Sequence, residues 1–169
     1  MKNLIVLLAC IFIQQTTALA DNDKPTTIDQ LPAAAQNFIK ANFAGVSIAI
    51  AKIENDFLDK SYDVIFTNGN KVEFNKKGQW TDIDCKYTEV PASAVPVAIK
   101  DYVNKNHSGA KILKIEIENR NYDVKLSNGW ELTFNKKFHI VDIDTCSHTT
   151  GIARNITRRS FDLEGKKRH

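Results

Sequence analysis

A chain of 169 residues, 43% of them hydrophobic, is long enough for one ordinary core or two small fused ones. Its net charge of +3 is unevenly spread: residues 21 to 148 carry 16 Lys and Arg against 18 Asp and Glu, while residues 149 to 169 carry 6 against 2. The basic excess therefore belongs to the end of the chain, and the body offers no polybasic footprint for nucleic acid.

In chain order, Met1-Lys2 is a minimal positive start and Leu4 to Ile13 an apolar run too short to span a bilayer, which needs about 20 apolar residues. Ala18-Leu19-Ala20 has the small-x-small form of a signal-peptidase site, so residues 1–20 read as a signal peptide and the mature chain starts at Asp21. The chain is expected to be exported, periplasmic or secreted. The rival lipoprotein reading at Cys10 is disfavoured by the apolar run continuing to Ile13. No later segment could cross a membrane. Residues 21–30 are polar and contain Pro25, and read as a leader.

From residue 31 a pattern appears that later returns. Leu31-Pro32 opens an amphipathic helix with Leu31, Ala35, Phe38, Ile39 and Phe43 on one stripe, stopped by Gly45. Tyr62-Asp63-Val64, Asn68-Gly69, Phe74-Asn75-Lys76-Lys77 and Asp82-Ile83-Asp84 follow. The second round has Val95-Pro96, then Ile99, Tyr102 and Val103, with Gly109 at the stop. Tyr122-Asp123-Val124, Asn128-Gly129, Phe134-Asn135-Lys136-Lys137 and Asp142-Ile143-Asp144 complete it. An internal repeat of this kind points to two structural units, residues 31–85 and 95–146, joined by a linker at 86–94 and followed by a basic flexible tail at 147–169.

The helices, the alternation and the turn signals predict an α+β fold in which each unit is one helix followed by a four-stranded antiparallel meander. The apolar phase slips between Ile48 and Ala49, and again between Ile112 and Leu113, which predicts a bulge in each unit. Asn68-Gly69 and Asn128-Gly129 predict two-residue turns with positive φ at both positions. A length difference between the units falls between Asn55 and Tyr62, which makes that spot a hairpin tip carrying Phe57 and Leu58.

One helix covers one face of a sheet, so the other face of each meander should be open and polar. Alternation assigns Asp63, Ile65, Thr67, Lys71, Glu73, Asn75, Trp80, Asp82 and Asp84 to that face in the first unit. In the second it assigns Asp123, Lys125, Ser127, Glu131, Thr133, Asn135, Ile140, Asp142 and Asp144. Trp80 among carboxylates has the form of a protein-binding anchor, or else packs at the seam between the units. The candidate partner-binding residues are Ile65, Trp80, Asp82, Asp84, Ile140, Asp142 and Asp144, with Phe57 and Leu58 at the hairpin tip.

The order and repetition of these motifs resemble the PepSY-like family of exported bacterial proteins, described as similar to beta-lactamase-inhibitor protein. The resemblance covers about residues 28 to 146. It implies a tandem helix-plus-four-strand fold whose two sheets form a concave surface, and a role in binding or inhibiting another protein in the cell envelope. It brings no catalytic motif and no cofactor.

With the signal peptide removed, Cys85 and Cys146 form an even pair in an exported chain, and a disulfide between them is expected. Cys146-x-His148 supplies only two of the three or four ligands zinc needs. His107, His139, His148 and His169 stand in no recognisable catalytic setting. Asp82 with Asp84, and Asp142 with Asp144, could offer oxygens to calcium, against the simpler reading of solvated strand ends. Asn155-Ile156-Thr157 is a sequon that matters only in a host that reads it. Two functions follow: a non-enzymatic exported module that binds a protein through its open sheet face, and, as the alternative, a binder of small ligands or cations at the acidic strand ends.

Overall fold

The apolar stripe of the first helix forms α1, Ala33–Asn42, in a computed structural model that describes residues 23–55 and 59–145. Pro32 stands at its N-cap, where a missing N–H has no helical partner to lose. Leu31, Ala35, Ile39 and Phe43 are buried along one side. α2, Val97–Asn106, follows Pro96 in the same way, with Ile99 and Val103 buried and Tyr102 packed against the core. No helix among the described residues is long and apolar enough to cross a membrane. The expected signal peptide, Cys10, Phe57, Leu58, Cys146, His148 and the basic tail lie outside the described residues.

The strands are β1 (Lys24–Pro25), β2 (Ile48–Asn55), β3 (Lys60–Phe66), β4 (Lys71–Asn75), β5 (Trp80–Asp84), β6 (Ile112–Glu118), β7 (Asn121–Leu126), β8 (Trp130–Phe134) and β9 (Ile140–Thr145). They form one antiparallel sheet in sequence order. Two separate sheets do not form, because β5 pairs with β6 through Asp82↔Glu116, Ile83↔Ile115 and Asp84↔Lys114. Joining there removes two unpaired strand edges. The expected leader is also partly structured: Lys24 and Pro25 pair with Ile53 and Lys52, and Ile28–Gln30 make a 3-10 turn. A proline is tolerated in that strand because it is the outermost one.

Cross-strand pairing builds one apolar row across the sheet: Ala51, Val64, Val72, Ile83, Ile115, Val124, Leu132 and Ile143, each opposite the next. Both helices cover this side. Phe38 and Phe43 of the first helical segment meet Phe74 and Phe66 at ring distances of 5.8 and 4.6 Å, and Tyr102 of α2 meets Phe134 at 5.3 Å. Among the described residues, no helix lies over the opposite side.

Bulges occur between Ile48 and Ile50 and between Ile112 and Lys114, where the apolar phase slips. Two further bulges are not visible as a slip in the sequence. Phe74 pairs with Trp80 while Glu73 pairs with Asp82, and Phe134 pairs with Ile140 while Thr133 pairs with Asp142. Thr81 and Val141 are the extra residues, and each reverses the facing of the residue before it. Trp80 and Ile140 therefore face the helices and pack against the core, which corrects their assignment to the open face.

The Asn-Gly turns also differ from expectation. Gly69 and Gly129 have positive φ but their asparagines do not. The Gly69 N–H donates to the Phe66 carbonyl and the Asn70 N–H to Asn68 Oδ1, so the asparagine acts through its side chain, in a longer turn closed by glycine. The two-residue turn with two positive φ values is Asn119-Arg120 instead.

Cys85 follows β5 and is fully buried. Three strands separate β5 from β9, so the last described residue, Thr145, lies roughly 19 Å along the sheet from the Cys85 strand. A disulfide needs Cα atoms about 4.4–6.8 Å apart. The expected bond to Cys146 falls on a residue outside the described ones.

Candidate functional site

On the uncovered face, the strand pairings line up two rows. The first is Lys52, Asp63, Glu73, Asp82, Glu116, Asp123, Thr133 and Asp142, each opposite the next. Five successive members, from Asp63 to Asp123, are carboxylates. The second is Ile50, Ile65, Lys71, Asp84, Lys114, Lys125, Glu131 and Asp144. Like charges directly opposite one another across strands are destabilising, so the second row must compensate the first.

It does so through lysines. Lys71 Nζ lies 2.9 Å from Asp63 and 2.6 Å from Glu73, and Lys114 Nζ lies 2.7 Å from Glu116 and 3.4 Å from Asp82. Burial works against the charge on both lysines, but the carboxylate hydrogen bonds outweigh it and raise their pKa values. The compensation is incomplete. Asp63 and Asp82 are buried, and Oδ1 of each has no hydrogen-bond partner. Burial, offset only in part by Lys114 and reinforced by Glu116 and Glu73, pushes the Asp82 carboxyl up to about 6. Glu54, at the end of β2, is also shifted upward by burial and by the nearby carboxylates, Asp63 foremost.

Toward β9 the face is hollowed into a depression of about 250 Å³, lined among others by Lys114, Glu116, Asp123, Thr133, Asp142 and Asp144. Thr133 Oγ1 and Asp123 Oδ1 are 2.5 Å apart on its floor. Carboxylates outnumber lysines along this lining, so the hollow favours positive charge. No set of three or more His, Cys, Asp or Glu side chains placed to hold a metal occurs among the described residues. Lysine ammonium groups stand between the carboxylates instead.

Of the residues expected to bind a partner, Ile65, Asp82, Asp84, Asp142 and Asp144 lie on this face. Asp142 and Asp144 line the hollow, Asp82 adjoins it through Glu116, and Ile65 sits farther off beside exposed Ile50. Asp82 is no solvated strand end, since a neighbouring strand covers each of its sides. Trp80 and Ile140 are on the other face. Sequence reasoning missed Ile50, Lys52, Lys114 and Glu116. The signal was present, because the bulges at Ala49 and Leu113 reset the alternation and put these residues in phase with the open face.

Among the described residues, the fold and the face define an α+β protein in which two helices back a single nine-stranded antiparallel sheet, with a charged hollow on the open side. The chain belongs to the PepSY-like family: residues 60–142 match the family described as "Putative beta-lactamase-inhibitor-like, PepSY-like". A "putative periplasmic protein from DUF2874 family" of Bacteroides vulgatus is 56% identical with a TM-score of 0.73, over 75% of this chain and 99% of that one. A "putative calcium-regulated periplasmic protein" of Bacteroides thetaiotaomicron is 56% identical with a TM-score of 0.72, over the same shares. A second B. vulgatus protein, described as periplasmic and of unknown function, is 37% identical with a TM-score of 0.68, over 72% of this chain and 98% of that one. Among curated proteins, none matches the chain.

Proposed function

We propose that this is a non-enzymatic, exported binding module that docks a protein partner of the cell envelope on its open sheet face. One observation carries the reading: five carboxylates stand opposite one another from Asp63 to Asp123, at a cost to stability, beside a hollow lined by more acids. A surface kept only for solubility would mix its charges; this one concentrates negative charge where a positively charged partner surface would relieve it. Export through residues 1–20 fits the periplasmic descriptions of the relatives. We also read residues 31–85 and 95–146 as two copies of one unit, since a helix and four strands recur in the same order.

The test is capture from an envelope extract by the full mature chain and by a Glu116→Gln, Asp123→Asn variant. A protein retained by the first and lost by the second, with both folded, supports the reading. Equal retention rejects the open face as the contact.

A second reading has one observation in its favour. The unpartnered Asp63 and Asp82 oxygens would welcome a cation, and one relative is called calcium-regulated in its description. Binding to the native state raises the melting temperature by mass action. No rise at millimolar calcium removes this reading.

A further inference from the structure

Two strands of this sheet end in the same way and are covered differently. β5 and β9 both carry Asp-Ile-Asp, with the isoleucine in the apolar row and the aspartates on the open face. Ile83 is 0% exposed and Asp82 8%, whereas Ile143 is 42% exposed and Asp142 and Asp144 are both exposed. The difference is one neighbour: β5 has β6 on its far side, and β9 is the last strand of the sheet among the described residues. Val141, 53% exposed, adds to the apolar surface at this edge.

The strand that covers β5 shows what chemistry fits such an edge. Lys114 stands opposite Asp84 and reaches Asp82, Ile115 stands opposite Ile83, and Glu116 points back to Lys114. The fitting strand is thus antiparallel and places a lysine and an isoleucine side by side. A second copy of this chain does not supply it. Pairing β9 with β9 about Ile143 would set Asp142 against Asp144, like charges face to face. The other outer strand able to pair, β2, already has Lys24 and Pro25 of β1 against Ile53 and Lys52.

We propose that the edge of β9, unpaired among the described residues, accepts by strand addition an extended segment of a partner protein with a lysine-isoleucine-glutamate pattern like that of β6. The backbone ladder supplies affinity, and the Ile143 and Asp144 contacts supply register. The ladder and the Ile143 contact lie off the open face, because Ile143 faces the helix side; Asp144 alone is shared with the lining of the hollow.

The probe is a labelled peptide with the sequence of residues 111–118, titrated against the full mature chain and followed by fluorescence anisotropy. Strand addition uses only every second amide of the added strand. Of two peptides N-methylated on alternate residues, one should therefore bind like the parent and the other at least tenfold more weakly. Ile143→Lys in the protein should also weaken binding at least tenfold without lowering the melting temperature. The Glu116→Gln, Asp123→Asn variant should bind as the parent does, so failure of the open-face reading and failure of this one are told apart. Equal binding of both methylated peptides, undiminished binding to Ile143→Lys, or no binding at about 1 mM peptide overturns the proposal.

Discussion

Asp82 and Glu116 face each other across the β5–β6 pairing, two carboxylates at the seam of the sheet, with Lys114 Nζ 3.4 Å from one and 2.7 Å from the other. The same pairing that fuses the sheet thus brings the acidic residues of its two halves into one row. Fold and candidate site have a common origin there.

The first prediction concerns pH. The Asp82 carboxyl is raised to about 6 in the folded chain, above its ordinary unfolded value, so its contribution to stability is full below the unfolded value and is lost as pH rises through about 6. Asp82→Asn removes that loss. The variant should match the parent at pH 4 and exceed it at pH 7.5, by on the order of 2 kcal/mol. Urea unfolding at the two pH values checks this.

Lys71 should behave in the opposite sense. It is the ion-pair partner of buried Asp63 and also holds Glu73, so Lys71→Met leaves a buried carboxylate uncompensated. We expect a loss of about 2 kcal/mol at pH 7.5. Thermal melts of parent and variant at pH 7.5 measure it.

Trp80 and Ile65 separate core from face. Trp80 packs against the buried cluster opposite Phe74, whereas Ile65 stands on the open side. Trp80→Ala should cost about 3 kcal/mol of stability and Ile65→Ala less than about 1. Denaturant midpoints for the two variants give the comparison.

Burial pushes the Cys85 thiol up to about 11, a shift the hydrogen bond with Thr88 offsets only in part. It should be inert to a thiol reagent in the native chain at pH 8 and react fully once the chain is unfolded, without prior reduction. Reagent uptake before and after guanidinium reports both states. Reaction only after reduction would mean that Cys85 is bonded.

Much of this was legible in the chain because helical stripes and strand alternation are properties of local sequence. Leu31, Ala35, Ile39 and Phe43 fall on the buried side of α1 as their spacing requires, and Tyr62, Val64 and Phe66 alternate inward. What was not legible depends on pairing. Thr81 and Val141 give no sign that they are bulge residues, and these two unseen bulges put Trp80 and Ile140 on the wrong face in the sequence reading. The carboxylate row was hidden for a related reason. Alternation places Asp63, Glu73, Asp82 and Asp123 on the open face, but only the direct β5–β6 pairing sets Asp82 opposite Glu116 and joins the two halves into one row. The Asn-Gly pairs marked their turns correctly while misleading about geometry, since the Asn68 side chain, rather than its backbone, shapes the turn.

The measurement that bears most directly on the open face as a binding surface is site-specific photocrosslinking in the envelope of the producing cell. A benzophenone amino acid is placed at Thr133 in the hollow or at Val97, 66% exposed at the start of α2 on the opposite side. The account predicts a discrete adduct from position 133 and none from 97, and predicts that Glu116→Gln with Asp123→Asn abolishes it. An adduct from 97 alone, or one from 133 that survives the charge removal, would contradict it.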